Sequence, residues 1–464
     1  MASAAPTPSG APACVIHLAD AQLEGSRLDE KGDKEKDKIA GTYVVMWLAD
    51  ARGEPIGLGA RWPLRKGMSP SWHSARAVGS GAGASAADSR LRVELWQRMD
   101  SGTNMLLAGP IVLPVTELEA TPRAYALHGS SRDAALGRVS SSYVVTLHAV
   151  PPTSSRKHLF LIRHGESKWN AAKREKNVFK MVRQHDHPIN EQGYRQAHAL
   201  QVGLVHAVEE DKVRPNDPSK PRSLMQILLR AEALWASPLT RAVQTALVAL
   251  EPLLRMPGKQ LELKIYAREK KNWGGFDSTG IVCGSACGQR ALAELRSIST
   301  TEIATEAEVT SKLSKLRLEP LETENNHWWS EGAESDEALG ERMQELLLQM
   351  QYSTAESIVL VGHSHFFRGF FQRYLHPSVH HRSPEMATEL QSTSVPNCAV
   401  LHCQLDFGCS PFVVTGVTQI HLAHGDDLPS KSSASRPAAA HMAGELRTRS
   451  DTATPTRTHR TTSV

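Results

Sequence analysis

From Cys14 to Val150 the apolar positions come in short runs. "CVIHLADA" (14–21), "TYVVMWLAD" (42–50), "LRVELWQ" (91–97) and "SYVVTLHAV" (142–150) are rich in β-branched and aromatic residues. Such residues suit a pleated, half-buried surface. In "LRVELW", Leu91, Val93 and Leu95 alternate with Arg92 and Glu94, the period-two spacing of a strand with one buried face. Charged or small residues separate the runs: "EGSRLDEKGDKEKDK" (24–38) and "VGSGAGASAADS" (78–89) read as loops. No long helical pattern interrupts them, so this part of the chain predicts an all-β unit, a sandwich or barrel.

"PPTSSRK" (151–157), with two prolines, hydroxyls and charge, reads as a linker. Beyond it the period changes. "HLFLI" (158–162), "ALWAS" (233–237), "SIVLVG" (357–362) and "NCAVLHCQLDF" (397–407) are strand-like. Between them fall helical patterns at 191–208, 239–254, 336–350 and 365–375. In the third of these, Leu339, Met343, Leu346, Leu347 and Met350 lie at helical spacing. Strands alternating with helices predict an α/β unit. The polar, Ser/Thr/Glu-rich length from Gly280 to Asn326 reads as an insertion, and loops of that kind set substrate choice. From about Asp426 large apolar residues almost vanish, which predicts a disordered tail. The expected organisation is a disordered N-terminus (1–12), a β-sandwich (13–150), a linker (151–157), an α/β unit (158–425) and the tail (426–464).

Length and charge add little but exclude much. A chain of 464 residues suits two folded units plus some unstructured length. A net charge of +4 is too small to argue for nucleic acid, and none is expected as a partner. The six cysteines show neither a disulfide framework nor a second pair to complete a zinc site, so free thiols are expected. "MASAAPTPSGAPACV" has no signal-peptide pattern, and no window has the length of apolar sequence that spans a bilayer. The expectation is a soluble, cytoplasmic protein.

The candidate chemistry sits where strands end. "LFLI" leads into Arg163 and His164, "LWASPL" into Arg241 one turn into a helix, and "SIVLVG" into His363. In open α/β sheets ligands bind beyond the carboxyl ends of strands. Guanidinium forks pair bidentately with phosphoryl oxygens, and helix N-termini add backbone donors. An arginine near a helix start opposes the macrodipole unless an anion offsets it. The three clusters together point to a phosphate site.

"LIRHGESKWN", "NEQGYRQAHAL", "SPLTRAVQTA", "AREKKNWGGFDSTG" and "VGHSHFFRGF", in that order, resemble the histidine phosphatase superfamily, phosphoglycerate mutase-like branch. The resemblance covers roughly residues 157–407. It implies a three-layer α/β/α sandwich. It also implies that His164 is the nucleophile that becomes phosphohistidine, and that Arg163, Arg241 and His363 hold the phosphoryl group. Ser167 and Asn170 would help orient it, and Glu269 would protonate the leaving oxygen. No metal or other cofactor is implied, so the histidines of "QHDHP" (184–188) and His365 are expected to be packed or solvated. The tryptophans of "HWW" (327–329) suit a substrate mouth or the core equally. After "RHGES" the stretch "AAKREKNVFKMVRQHDHPIN" (171–190) differs from the glycolytic mutases, which favours a phosphatase over mutase-type phosphotransfer. A non-catalytic phosphate-binding scaffold is the competing class. Sugar phosphates, inositol phosphates, nucleotides and phosphoproteins all remain as substrates.

The β unit resembles a C2 domain through "VIHLADAQL", "GTYVVMWLADARGEPIG" and "YVVTLHAV". Calcium-binding C2 domains supply an aspartate cluster from two loops. Here Gly41-Thr42 precedes "YVV", and only Asp20 and Asp100 are suitably placed. Two readings stand: a calcium-independent contact with a phospholipid membrane or a protein, which would make the protein peripheral at membranes, or a purely structural β-sandwich.

Overall fold

The computed structural model describes residues 14–23, 39–50, 54–62, 71–78, 89–99, 101–128, 142–150, 153–213, 221–271, 276–298, 311–318 and 333–421. Eight strands make the first part of the chain: β1 (Cys14–Leu23), β2 (Ile39–Ala49), β3 (Pro55–Arg61), β4 (Ser71–Val78), β5 (Arg90–Met99), β6 (Asn104–Pro114), β7 (Arg123–His128) and β8 (Ser142–Ala149). They form two antiparallel four-stranded sheets, ordered β4-β1-β8-β7 and β3-β2-β5-β6. Side chains from both sheets meet in one apolar cluster that includes Ile16, Leu18, Val145 and Leu147 from one, and Val44, Met46, Val93 and Leu95 from the other. The alternation read in "LRVELW" holds for Leu91, Val93 and Leu95, which are fully buried. Glu94, on the opposite face, is also covered, because Trp96 Nε1 (3.0 Å) and Arg92 Nη2 (3.2 Å) donate to it. Asp100 and the side chain of Asp20 lie outside the described residues, as do the tryptophans of 327–329 and the tail.

The second part begins with β9 (Arg156–Arg163). In chain order there follow α1 (Lys168–Arg174), α2 (Val178–Val182), α3 (Glu191–Val213), α4 (Leu224–Leu229), β10 (Ala233–Ala236), α5 (Thr240–Ala249), α6 (Glu251–Leu254), β11 (Leu261–Leu263), α7 (Ala286–Ile298), β12 (Leu316–Leu318), α8 (Asp336–Tyr352), β13 (Ser357–Gly362), α9 (Ser364–Tyr374), α10 (Pro377–Arg382), α11 (Pro384–Ser392), β14 (Val400–Asp406) and β15 (Val414–Ile420). Seven strands form one sheet in the order β12-β11-β10-β13-β9-β14-β15. The first five are parallel; β14 and β15 add antiparallel pairs at the other side.

Every residue of β13 is buried, as expected of a central parallel strand covered on both faces. Alternate residues feed two separate apolar clusters. Phe160, Ile162, Val359 and Val361 join helices α3 to α7 in one. Leu159, Leu161, Ile358 and Leu360 join α8, α9, α10 and α11 in the other. The apolar stripe of α8 is buried as its spacing predicts. The helical pattern at 239–254 is broken in two at Glu251-Pro252, since a proline supplies no amide to the preceding helix. The reading of 280–326 as an insertion needs correction in part. Its residues Ala291, Leu292 and Leu295 on α7 are core, and 316–318 is a strand of the sheet. Its Ser/Thr/Glu content hid this, because only one face of α7 is apolar.

The two parts touch where β4 meets α8: Arg76 pairs with Glu345, and Thr153 Oγ1 donates to Gln351 O at 2.9 Å. All six cysteines are free thiols. Among the described residues no helix is long and apolar enough to cross a membrane.

Candidate active site

The parallel register brings three strand ends level to within one residue. Gly362 lies opposite Arg163, and Ala236 opposite Val361. The next residues out are therefore His164, Ser237 and His363, at neighbouring carboxyl ends of β9, β10 and β13. The chain can leave β9 so sharply because two glycines meet there. A Cβ on Gly165 would run into the Gly193 carbonyl, and one on Gly193 into the Glu166 backbone. This packs the "RHGES" loop against the start of α3.

His164 is buried. Its Nδ1 lies 2.7 Å from the Gly165 carbonyl, and Arg241 Nε donates to its Nε2 at 3.2 Å. A carbonyl can only accept, so Nδ1 carries the proton and Nε2 presents a lone pair. Burial first, then the cations Arg241 and Arg163, hold its pKa well below the usual histidine range. The imidazole is therefore held in its neutral form. Its backbone is tied down as well: Asn397 Nδ2 donates to the His164 carbonyl (2.7 Å), and Gly165 N donates to Thr245 Oγ1 (2.9 Å).

Arg241 is fully buried in the first turn of α5. Its Nη1 donates to the Asp277 carbonyl (2.6 Å) and lies 3.1 Å from Asp277 Oδ1. The start of α5 is held from outside the helix by Asp186, which accepts from Thr240 N (2.9 Å) and Thr240 Oγ1 (2.6 Å). Asp186 and His187 of "QHDHP" are thus packed, and His187 Nε2 reaches the Met181 carbonyl at 2.9 Å. Arg163 Nη1 donates to Val395 O at 2.6 Å. His363, fully buried at the N-cap of α9, lies 2.8 Å from Ser237 Oγ through Nε2, and its ring centroid is 5.2 Å from that of His164. Burial, then Arg241, His164 and Arg163, keep it neutral too.

Several buried donors here have no hydrogen-bond partner among the described residues: Arg163 Nε, Arg241 Nη2, His363 Nδ1 and Ser364 Oγ. Leaving a buried donor unsatisfied costs about 1–3 kcal/mol each. An oxyanion seated between them would relieve that cost and offset the two arginine charges.

Glu269 follows β11 and a short 3-10 turn, Ile265–Ala267. It is nine-tenths buried. Its Oε1 accepts from Phe366 N (2.9 Å) and Lys270 N (3.0 Å), and Oε2 is 3.4 Å from His365 N. The carboxylate therefore sits on the N-terminus of α9, near enough to Arg163 and Asp277 to influence both. Lys270, its neighbour in sequence, turns to Asp336 at 2.6 Å.

Ser167 and Asn170 are placed differently from the other site candidates. Asn170 N donates to Ser167 Oγ (3.1 Å) and Ser167 N to Asn170 Oδ1 (3.2 Å). This is a capping box that starts α1. Their accepting atoms serve the helix, leaving only the hydroxyl and amide hydrogens for a ligand.

Two residues were given no role by motif reading, although Asp277 lies within "AREKKNWGGFDSTG". Asp277 lies against Arg241, and its pKa is pushed up to about 6, chiefly by burial, with Glu269 and Asp186 raising it and Arg241 and Arg163 lowering it. Arg342 clamps the loop that carries Glu269. Its Nη1 donates to the carbonyls of Tyr266 (2.7 Å) and Arg268 (2.8 Å). Its other nitrogens grip both carboxylate oxygens of Glu334, at 2.8 and 2.7 Å. Among the described residues no group of three or more His, Cys, Asp or Glu gathers to hold a metal.

Residues 159–212 match the family model of the histidine phosphatase superfamily (branch 1). No curated protein matches the chain. Among solved structures, phosphoglycerate mutase from Bacillus anthracis str. Sterne is 16% identical, over 57% of this chain and 92% of that one, with a TM-score of 0.31. The ecdysone phosphate phosphatase from Bombix mori, in complex with tungstate, is 15% identical over 60% and 96%, with a TM-score of 0.31. The C2A domain of plant Extended Synaptotagmin 1 is 17% identical over 31% of this chain and 99% of that one, with a TM-score of 0.21.

Proposed function

We propose that this chain, a histidine phosphatase superfamily member through residues 159–212, hydrolyses a phosphomonoester through a phosphohistidine intermediate. The observation that carries the reading is the buried, neutral His164, its Nε2 lone pair set against Arg241 beside unpartnered cationic donors. Phosphoryl transfer is largely positioning and charge stabilisation, and these groups supply both. Arg163, Arg241 and His363 hold the equatorial oxygens. With Ser237 donating to its Nε2, neutral His363 offers its proton from Nδ1, the atom without a partner. His164 Nε2 attacks phosphorus; an N–P bond forms as the ester P–O bond breaks, and Glu269 gives its proton to the leaving oxygen. Water then attacks phosphorus, the N–P bond breaks, Glu269 takes the water proton and inorganic phosphate leaves. No step calls for a metal. The core is a three-layer α/β/α sandwich, and the C2-like sandwich directs the enzyme to a membrane or protein partner.

The test is a panel of phosphomonoesters assayed with a chelator present, on wild type and His164→Ala. Turnover by wild type and its loss in the variant are expected. No turnover of any ester, or unchanged turnover in His164→Ala, would sink the reading. Transfer to a second sugar acid instead of water would favour the mutase.

A further inference from the structure

The stretch between "RHGES" and α3 departs from the mutases, and most of it has no part in the chemistry above. At its outer end Val178, Phe179 and Val182, all on α2, are 66%, 72% and 43% exposed. Scattered apolar residues on a surface need no explanation, but three on a five-residue helix form a patch. Lys173, Arg174, Lys176, Lys180 and Arg183 surround it, all exposed, with Glu175 the one carboxylate of that run. Arg174 is paired with Glu166, and Lys180 with Glu175 at 2.9 Å. Lys173, Lys176 and Arg183 have no ion-pair partner among the described residues. Beside the patch lies a cavity of about 510 Å³ whose walls carry Lys168, Lys180 and Arg183 against a single carboxylate, Glu175.

The patch borders the candidate active site. α1 begins at the capping box directly after "RHGES". Burial lowers the His365 pKa, Glu269 opposes that, and Arg368 and then Lys173 add to it, while the His365 backbone N–H meets Glu269. The chemistry narrows the occupant. A stable protein interface needs about 800 Å² from each partner, more than three side chains on one short helix provide. An apolar tip ringed by cations is instead the pattern of a segment resting in a bilayer interface, apolar groups at the acyl boundary and cations among anionic headgroups.

We propose that residues 173–183 form an anchor for an anionic membrane surface: Val178, Phe179 and Val182 enter the interface while Lys173, Lys176 and Arg183 face its headgroups. If the phosphatase reading stands, the substrates are phosphomonoesters held at that surface.

The test uses the full chain and co-sedimentation with phosphatidylcholine vesicles, with and without phosphatidylserine. Two double variants probe the two halves of the anchor: Val178→Ser with Phe179→Ser, and Lys176→Glu with Arg183→Glu. All four side chains are exposed, so melting temperature and turnover of a soluble aryl phosphate should stay at wild-type values. Wild type should sediment with phosphatidylserine vesicles and release with salt. The charge variant should bind at least 25-fold more weakly, from roughly fivefold per lost cation. The apolar variant should lose binding by about tenfold or more. The anchor is overturned if both variants bind like wild type, which would leave the β-sandwich as the contact. It is equally overturned if wild type ignores both vesicles, whether or not it binds polyglutamate, the sign of an acidic protein partner. Vesicle binding is read without turnover, so inactivity toward every ester would end the phosphatase reading and leave the anchor standing.

Discussion

Asp277→Asn should stabilise the protein, and by an amount that depends on pH. Asp277 ionises at about 6 in the fold against 3.8 for an ordinary aspartate. Each pKa unit is worth 1.36 kcal/mol, so the ionised carboxylate weakens the fold by about 3 kcal/mol. The sign follows from the direction. A carboxyl whose folded pKa is raised favours folding most below the unfolded pKa, and that contribution drains away as pH climbs through 4 to 6. Asparagine mimics the protonated acid at every pH, and Arg241 Nη1 keeps its bond to the Asp277 carbonyl. The variant's advantage should therefore be about 3 kcal/mol above pH 7 and about half that at pH 5. The Asp277 side chain is 18% exposed, so solvent screening makes these upper values. Differential scanning fluorimetry of both proteins between pH 5 and 8 reads the effect as a gap in Tm that widens with pH and levels off above 7. A gap that is constant with pH, or a variant less stable at pH 7.5, would show that the carboxylate is held by Arg241 more strongly than burial opposes it.

Arg342→Met should act through Glu269. With the clamp on the 266–268 carbonyls gone, kcat/KM on an alkyl phosphate, which reports phosphoryl transfer to His164, should fall tenfold or more, while kcat/KM on p-nitrophenyl phosphate, whose leaving group needs no proton, should be nearly unaffected. Equal losses on both substrates would assign Arg342 a structural role only. Gly193→Ala should cost at least ~2 kcal/mol of stability, because its Cβ would meet the Glu166 backbone rather than a movable side-chain end; an unshifted melting temperature would contradict that packing.

The strand ends were legible because a buried apolar run followed at once by Arg or His conflicts with core packing unless the charge faces a ligand. The stripe of α8 was legible for the opposite reason: five apolar residues agree with one helical face. Arg342 lies three residues after Leu339 and four before Leu346, on that same face, so a cation among core positions was the one available sign of the clamp. Asp277 carried no such sign, since an isolated aspartate after phenylalanine has no periodicity to violate. β4, "SWHSARAV", escaped notice because its buried Ala75 is small, and small side chains weaken the period-two signal. Ser167 and Asn170 show the reverse hazard. A motif position can serve the helix it starts as readily as the ligand beside it.

The central claim is that phosphorus passes through His164. Incubating the enzyme with a ³²P-labelled phosphomonoester, quenching in base and mapping the labelled peptide tests it directly. Label on the peptide containing His164, stable to alkali and released by acid, is the expected result. Acid-stable label on a serine, or no label under conditions of steady turnover, would contradict it.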